Sequence, residues 1–152
     1  MINVKKYFKA ILIPAILGGI IGFIISGYLD YEILEKPLLS PPNIVFPIVW
    51  TILYVLMGIS YGILDDKLLV DSDINKIYYT QLIVNLLWSI FFFVFKWRLF
   101  SFIWIILLII LVILMIIKFY SKNRISGLLQ IPYLIWILFA SYLNLFVYLL
   151  NK

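Results

Sequence analysis

Five apolar runs, at about residues 10–29, 44–64, 77–95, 99–117 and 128–150, constrain this chain more than any other feature. Each has about the 20 residues that a helix needs to cross ~30 Å of hydrocarbon. No water reaches backbone N–H and C=O groups there, so each run must satisfy them internally, as a helix does. The expectation is an all-α integral membrane protein, a bundle of five transmembrane helices forming one domain over residues 1–152. Composition excludes the soluble alternative. The chain is 66% hydrophobic and 12% charged, with a mean hydropathy of +1.16, whereas soluble domains are about half apolar and a quarter charged. The first run follows a basic lead (Lys5, Lys6, Lys9). It is longer than the ~7–15 apolar residues of a secretory signal, so it reads as an uncleaved span.

The connections set orientation. The N-terminal tail and the second and fourth loops carry eight Lys and Arg; the first loop, third loop and C-terminal end carry four. By the positive-inside bias the N-terminus is expected in the cytoplasm and the first loop outside. The net charge of +5 flanks apolar runs, so lipid headgroups rather than nucleic acid are the expected partner. Between runs three and four stand only Lys96, Trp97 and Arg98, which predicts a tight antiparallel hairpin.

Side chains inside the runs carry the functional signal. Trp50, Tyr54, Gly58 and Tyr61 recur at helical steps on one face of the second run, which predicts an aromatic wall for a flat ligand. Gln81, Asn85 and Ser89 stack on the third run with Trp88 beside them. Polar groups in hydrocarbon need a protein partner or a cavity, so they serve either interhelical hydrogen bonds or ligand contact. The fifth run offers Pro132, Tyr133, Trp136, Ala140 and Asn144 on one face. Gly18, Gly22 and Ser26 repeat every four residues on the first, allowing close helix approach or lining a cavity. Leu38 and Leu39, apolar in the acidic first loop, fit either a lid or an interfacial loop. The chain has no Cys and no His, which removes thiol chemistry, zinc sites and the usual haem ligands. No metal and no resident cofactor are expected.

With those residues in view, the chain resembles the translocator protein family, also called the tryptophan-rich sensory protein or TspO/MBR family. The resemblance rests on Tyr31-x-x-Leu34-x-Lys36-Pro37, Pro41-Pro42, Phe46, Trp50, Tyr54 and Gly58. It continues through Gln81, Asn85, Trp88, Phe92 and Lys96 to Pro132-Tyr133-x-x-Trp136-x-x-Phe139-Ala140 and Leu143-Asn144. It implies a five-helix bundle, often a homodimer, whose pocket is roofed by the first loop (Lys36, Pro37, Leu39, Pro41, Pro42). The implied ligands are porphyrins or similar flat hydrophobic molecules. Some relatives are reported to break porphyrins down in light through tryptophans matching Trp50 and Trp136, which would be the catalytic pair of a slow photochemical enzyme. Ligand-binding residues are then expected at Trp50, Tyr54, Gly58, Asn85, Trp88, Tyr133, Ala140 and Asn144, with Lys36 as a donor for propionates.

Two departures stand out. Leu38 and Leu39 occupy the place of the family's Ser-Trp pair in the loop, and Trp104 stands where the fourth helix usually carries an aspartate. Leu145-x-x-Tyr148-x-x-x-Lys152 fits the loose cholesterol-recognition pattern, which a Tyr- and Leu-rich helix end matches readily by chance. The competing reading is a small-molecule transporter or a non-catalytic accessory protein. The lack of an ionisable pair within any run disfavours driven transport.

Overall fold

A computed structural model describes residues 2–152 and is helical almost throughout. Its helices are α1 (Val4–Ile25), α2 (Val45–Asp66), α3 (Ser72–Ser89), α4 (Arg98–Lys122), the short α5 (Arg124–Leu128) and α6 (Ile131–Asn151). Five segments are long and apolar enough to cross a membrane. The chain is therefore an all-α, multi-pass membrane protein.

Local chemistry explains where these helices begin and break. The apolar run from Ile77 is the inner part of a helix that starts at Ser72, because Asp71 caps it by accepting the Ile74 N–H at 2.9 Å. Pro47 lies in the first turn of α2, where the missing N–H costs little. The fifth run is broken. Asn123 caps α5 through the Ser126 N–H, and the chain restarts at α6 with Pro132 in its first turn. Ser60 and Ser126 hold α5 on α2 reciprocally, each hydroxyl donating at 2.7 Å to the other's backbone carbonyl.

The third run ends in a π-helical turn, Ile90–Val94. Lys96 then adopts φ 57°, and the Trp97 N–H closes the hairpin on the Phe91 carbonyl at 2.9 Å. The expected tight turn is thus present, at the cost of one left-handed non-glycine residue. Trp104, on α4, donates its indole N–H to the Val84 carbonyl of α3 at 2.8 Å.

α1 packs chiefly along α2. Only Ala10 and Pro14 of α1 are buried, and Pro14, lacking an N–H, leaves the Ala10 carbonyl without its usual donor four residues on. Gly58 of α2 faces that gap. A Cβ there would collide with the Ile11 Cα and lie 2.7 Å from the Ala10 oxygen. Farther along the same seam Gly62 receives Tyr7, and Gly18 receives the Tyr54 ring. The small-residue stripe expected on α1 is used only at Gly18. Gly22 has nothing within 4 Å of an added Cβ, and the Ser26 hydroxyl turns back to the Phe23 carbonyl.

Candidate functional site

The polar groups of the third run meet partners from two other helices. Tyr54 on α2 donates to Asn85 Oδ1 at 2.8 Å, and Asn85 Nδ2 donates to the Tyr133 hydroxyl on α6 at 2.7 Å. Tyr133 then donates to Gln81 Oε1 at 2.8 Å, and Gln81 Nε2 to the Tyr78 carbonyl at 2.8 Å. The chain runs in one direction, and Gln81, Asn85 and Tyr133 are buried within it. Each bond between transmembrane helices contributes on the order of 0.6 kcal/mol. Their larger effect is to fix the helices in register, because slippage would strand a polar group in hydrocarbon.

Aromatic rings cover this chain. Trp50 stacks on Tyr54 at 5.7 Å between centroids and meets Tyr133 edge-on at 6.4 Å. Phe46, one turn before Trp50, touches Trp136 at 5.9 Å and Tyr31 of the first loop at 5.0 Å. The rings pack on one another. The Trp136 indole N–H is buried among them without a hydrogen-bond partner, a donor whose desolvation costs ~1–3 kcal/mol until something accepts from it.

The first loop lies across this end of the bundle. Tyr31 is buried beside Phe46 and donates to the Pro41 carbonyl at 3.0 Å. Asn151 of α6 pairs with the Glu35 backbone at 2.9 and 2.8 Å, and Tyr142 donates to the Leu38 carbonyl at 2.7 Å. Lys36, expected as a donor to an anionic ligand edge, is turned inward. Its ammonium donates to the Tyr31 carbonyl at 2.8 Å and sits 4.7 Å above the Tyr31 ring. Pro37 and Pro41 are half-buried and Pro42 is exposed, while Leu38 and Leu39 are both more than four-fifths exposed. Leu39 takes φ 70° in the turn between the prolines, a conformation that disfavours any side chain.

The expected site residues therefore divide. Trp50, Tyr54, Asn85 and Tyr133 come together, with Trp136 one helical turn beyond Tyr133 and against Phe46. Trp88 and Asn144 form a second node, in which Asn144 Oδ1 accepts from Trp88 Nε1 at 2.9 Å and Ser101 at 3.0 Å. Asn144 Nδ2 donates to the Arg98 carbonyl at 2.8 Å, so its polar atoms are occupied by protein. Ala140 is buried in α6 between Trp136 and Asn144. Gly58 faces α1 rather than the rings, because the proline-freed carbonyl of Ala10 needs the space a side chain would fill. Gln81, Phe46 and Tyr31 join the cluster; Gln81, expected to serve either interhelical hydrogen bonds or ligand contact, is bonded to Tyr133 of α6 and to the Tyr78 carbonyl. Gln81 had a periodic signal, whereas Phe46 and Tyr31 were marked by the family resemblance alone. Among the described residues no group of His, Cys, Asp or Glu is arranged to hold a metal.

At the loop end Asp30 anchors the arrangement. Arg98 Nη2 lies 2.9 Å from both Asp30 carboxylate oxygens, and Lys96 Nζ 3.2 Å from one of them. Partial burial pushes the Asp30 carboxyl up, but hydrogen bonds and charge from Arg98 and Lys96 outweigh it and hold the pKa below its ordinary value.

Comparison with known proteins returns the same family as the residues. The profile described as "TspO/MBR family" matches residues 10–149. The chain is 40% identical to the tryptophan-rich protein TspO of Archaeoglobus fulgidus, over 98% of this chain and 99% of that protein. It is 32% identical to the protein CrtK of Rhodobacter capsulatus, over 95% and 92%, and 32% identical to a tryptophan-rich sensory protein of Cereibacter sphaeroides, over 75% and 72%.

Proposed function

The chain belongs to the TspO/MBR family, and from that premise we propose that it binds a porphyrin or similar flat, apolar ligand between α2, α3 and α6 and acts as a membrane sensor or regulator. The observation that carries this reading is the unpartnered Trp136 indole N–H, buried against the rings of Phe46 and Phe139 and one helical turn beyond Tyr133 of the polar chain. A macrocycle supplies both an apolar face for those rings and acceptors for that donor. Entry requires Trp50 and Trp136 to part from their ring neighbours, and both are only half-buried. The loop from Tyr31 to Pro42 serves as the lid, held by Asn151 and Tyr142. Names of relatives such as "tryptophan-rich sensory protein" fit the sensing role.

Homodimerisation accompanies this role in our reading, and the open Gly22 stretch of α1 suits close approach by a second copy. Tryptophan fluorescence under protoporphyrin titration tests the binding. Saturable quenching is expected, weakened about tenfold or more when Trp50 and Trp136 are both replaced by Phe, which shrinks the stacking surface and removes the indole N–H donors. Linear, non-saturating quenching in the parent chain would refute the proposal.

A further inference from the structure

A basic recess of about 230 Å³ lies at the C-terminal end of α6, lined by Lys96, Arg98, Val147, Tyr148, Asn151 and Lys152, and Asn151 also ties the lid through the Glu35 backbone. It stands apart from the aromatic cluster. Asn151 lies seven residues beyond Asn144, about 10 Å farther along the helix.

Three cations line the recess; Asp30 pairs with two of them, and the Lys152 ammonium makes none of the described ion pairs. Arg98 is held in place by contacts along its whole length. Its Nη2 binds Asp30, its Nε donates to the Phe92 carbonyl at 3.1 Å, its guanidinium lies 4.7 Å over the Phe92 ring, and its own carbonyl takes the Asn144 amide. Arg98 Nη1 makes none of the described hydrogen bonds. Lys96 is half-exposed with only one of its three N–H groups in the Asp30 contact, and Lys152 is exposed with its ammonium 5.9 Å above the Tyr148 ring. Donors thus remain for an oxyanion from several directions. The recess also has an apolar border. Val147 lies at its floor, and Phe95, Trp97, Leu99, Leu149 and Leu150 are exposed around this end.

We infer that this recess binds the phosphate of an anionic membrane lipid, with Lys96, Arg98 and Lys152 as donors and the acyl chains on the neighbouring apolar surface. A free phosphate offers the same oxyanion but leaves that surface bare. The recess sits where charged side chains and exposed Trp97 place the lipid–water boundary.

Native mass spectrometry of the full chain in uncharged detergent tests this with phosphatidylglycerol, phosphatidylcholine and glycerol 3-phosphate. Phosphatidylglycerol is expected to saturate at one tight site, with the other two held at least about tenfold more weakly. The pair Lys96→Gln and Lys152→Gln should weaken retention by about tenfold or more, since each basic group near an anionic surface contributes roughly a fivefold factor. Lys96→Arg with Lys152→Arg should restore it, and Lys67→Gln with Lys118→Gln, at the other end, should change nothing. Equal retention of phosphatidylcholine, undiminished binding in the glutamine pair, or failure of the arginine pair to restore it would overturn the inference. Glycerol 3-phosphate held as tightly as the lipid would make this a soluble-anion site and overturn the lipid assignment.

Discussion

Asn85 shows how much one buried amide can specify. It accepts from α2 and donates to α6 while sitting on α3, so three helices share one residue's hydrogen-bond geometry. Replacing it with Leu keeps the volume but strands the Tyr54 donor and removes a partner of Tyr133. We expect a loss of about 1–3 kcal/mol, the cost of leaving buried polar groups unmade. Unfolding by a graded denaturing detergent measures it, with Thr80→Leu at an exposed position of the same helix as the reference. Asp30 makes a different demand. Its pKa is lowered in the folded chain, so its contribution is present above the unfolded carboxyl value near 4 and fades as pH falls through the lower folded value. Asp30→Asn should therefore destabilise at pH 7, by about 3 kcal/mol if Arg98 is left buried without its counter-charge. It should also flatten the acid limb of a stability–pH curve, and an unchanged limb would assign that limb to other carboxyls.

Between elements, the α1–α2 seam is built around an absence on each side. Pro14 lacks the N–H that Ala10 expects, and Gly58 lacks the Cβ that would block the space beside that carbonyl. The approach is backbone to backbone, so no flexible side chain can yield. Gly58→Ala should separate the helices and cost about 1–3 kcal/mol, as overpacking does. Gly19→Ala meets nothing within 4 Å and should be neutral, or stabilising by up to about 1 kcal/mol through helix propensity. Thermal unfolding of both variants checks the contrast. Here helical spacing was legible and direction was not. Trp50, Tyr54 and Gly58 do share a stripe of α2, yet the stripe is wide enough for Trp50 to reach Tyr133 while Gly58 meets α1. Four-residue steps drift around a helix of 3.6 residues per turn, and a neighbour on each flank can claim part of one face.

At the scale of the molecule, ties at both ends hold the helices in antiparallel order. Asn3 and Lys6 reach Asp66 and Asp65 at 2.8 and 2.9 Å, and Lys122 pairs with Asp71 at 2.7 Å, at one end. Asp30, Arg98 and the Asn151–Glu35 pair hold the other. The absence of cysteine makes orientation directly measurable. Asp73→Cys should label only after the inner face is exposed, and Leu38→Cys from outside intact cells; the reverse pattern would invert our orientation. The number of spanning helices, their order and the family were determined by the sequence alone, because hydrocarbon leaves a twenty-residue apolar run no alternative to a helix. Which polar side chains pair with protein and which, like the Gln130 amide and the Trp136 indole, stay unpaired among the described residues was decided only by tertiary structure. Trp88 and Trp136 look alike in sequence, yet one indole meets Asn144 and the other meets only rings. Hydrogen-bond partners come from helices distant in the chain, and no local periodicity encodes that convergence.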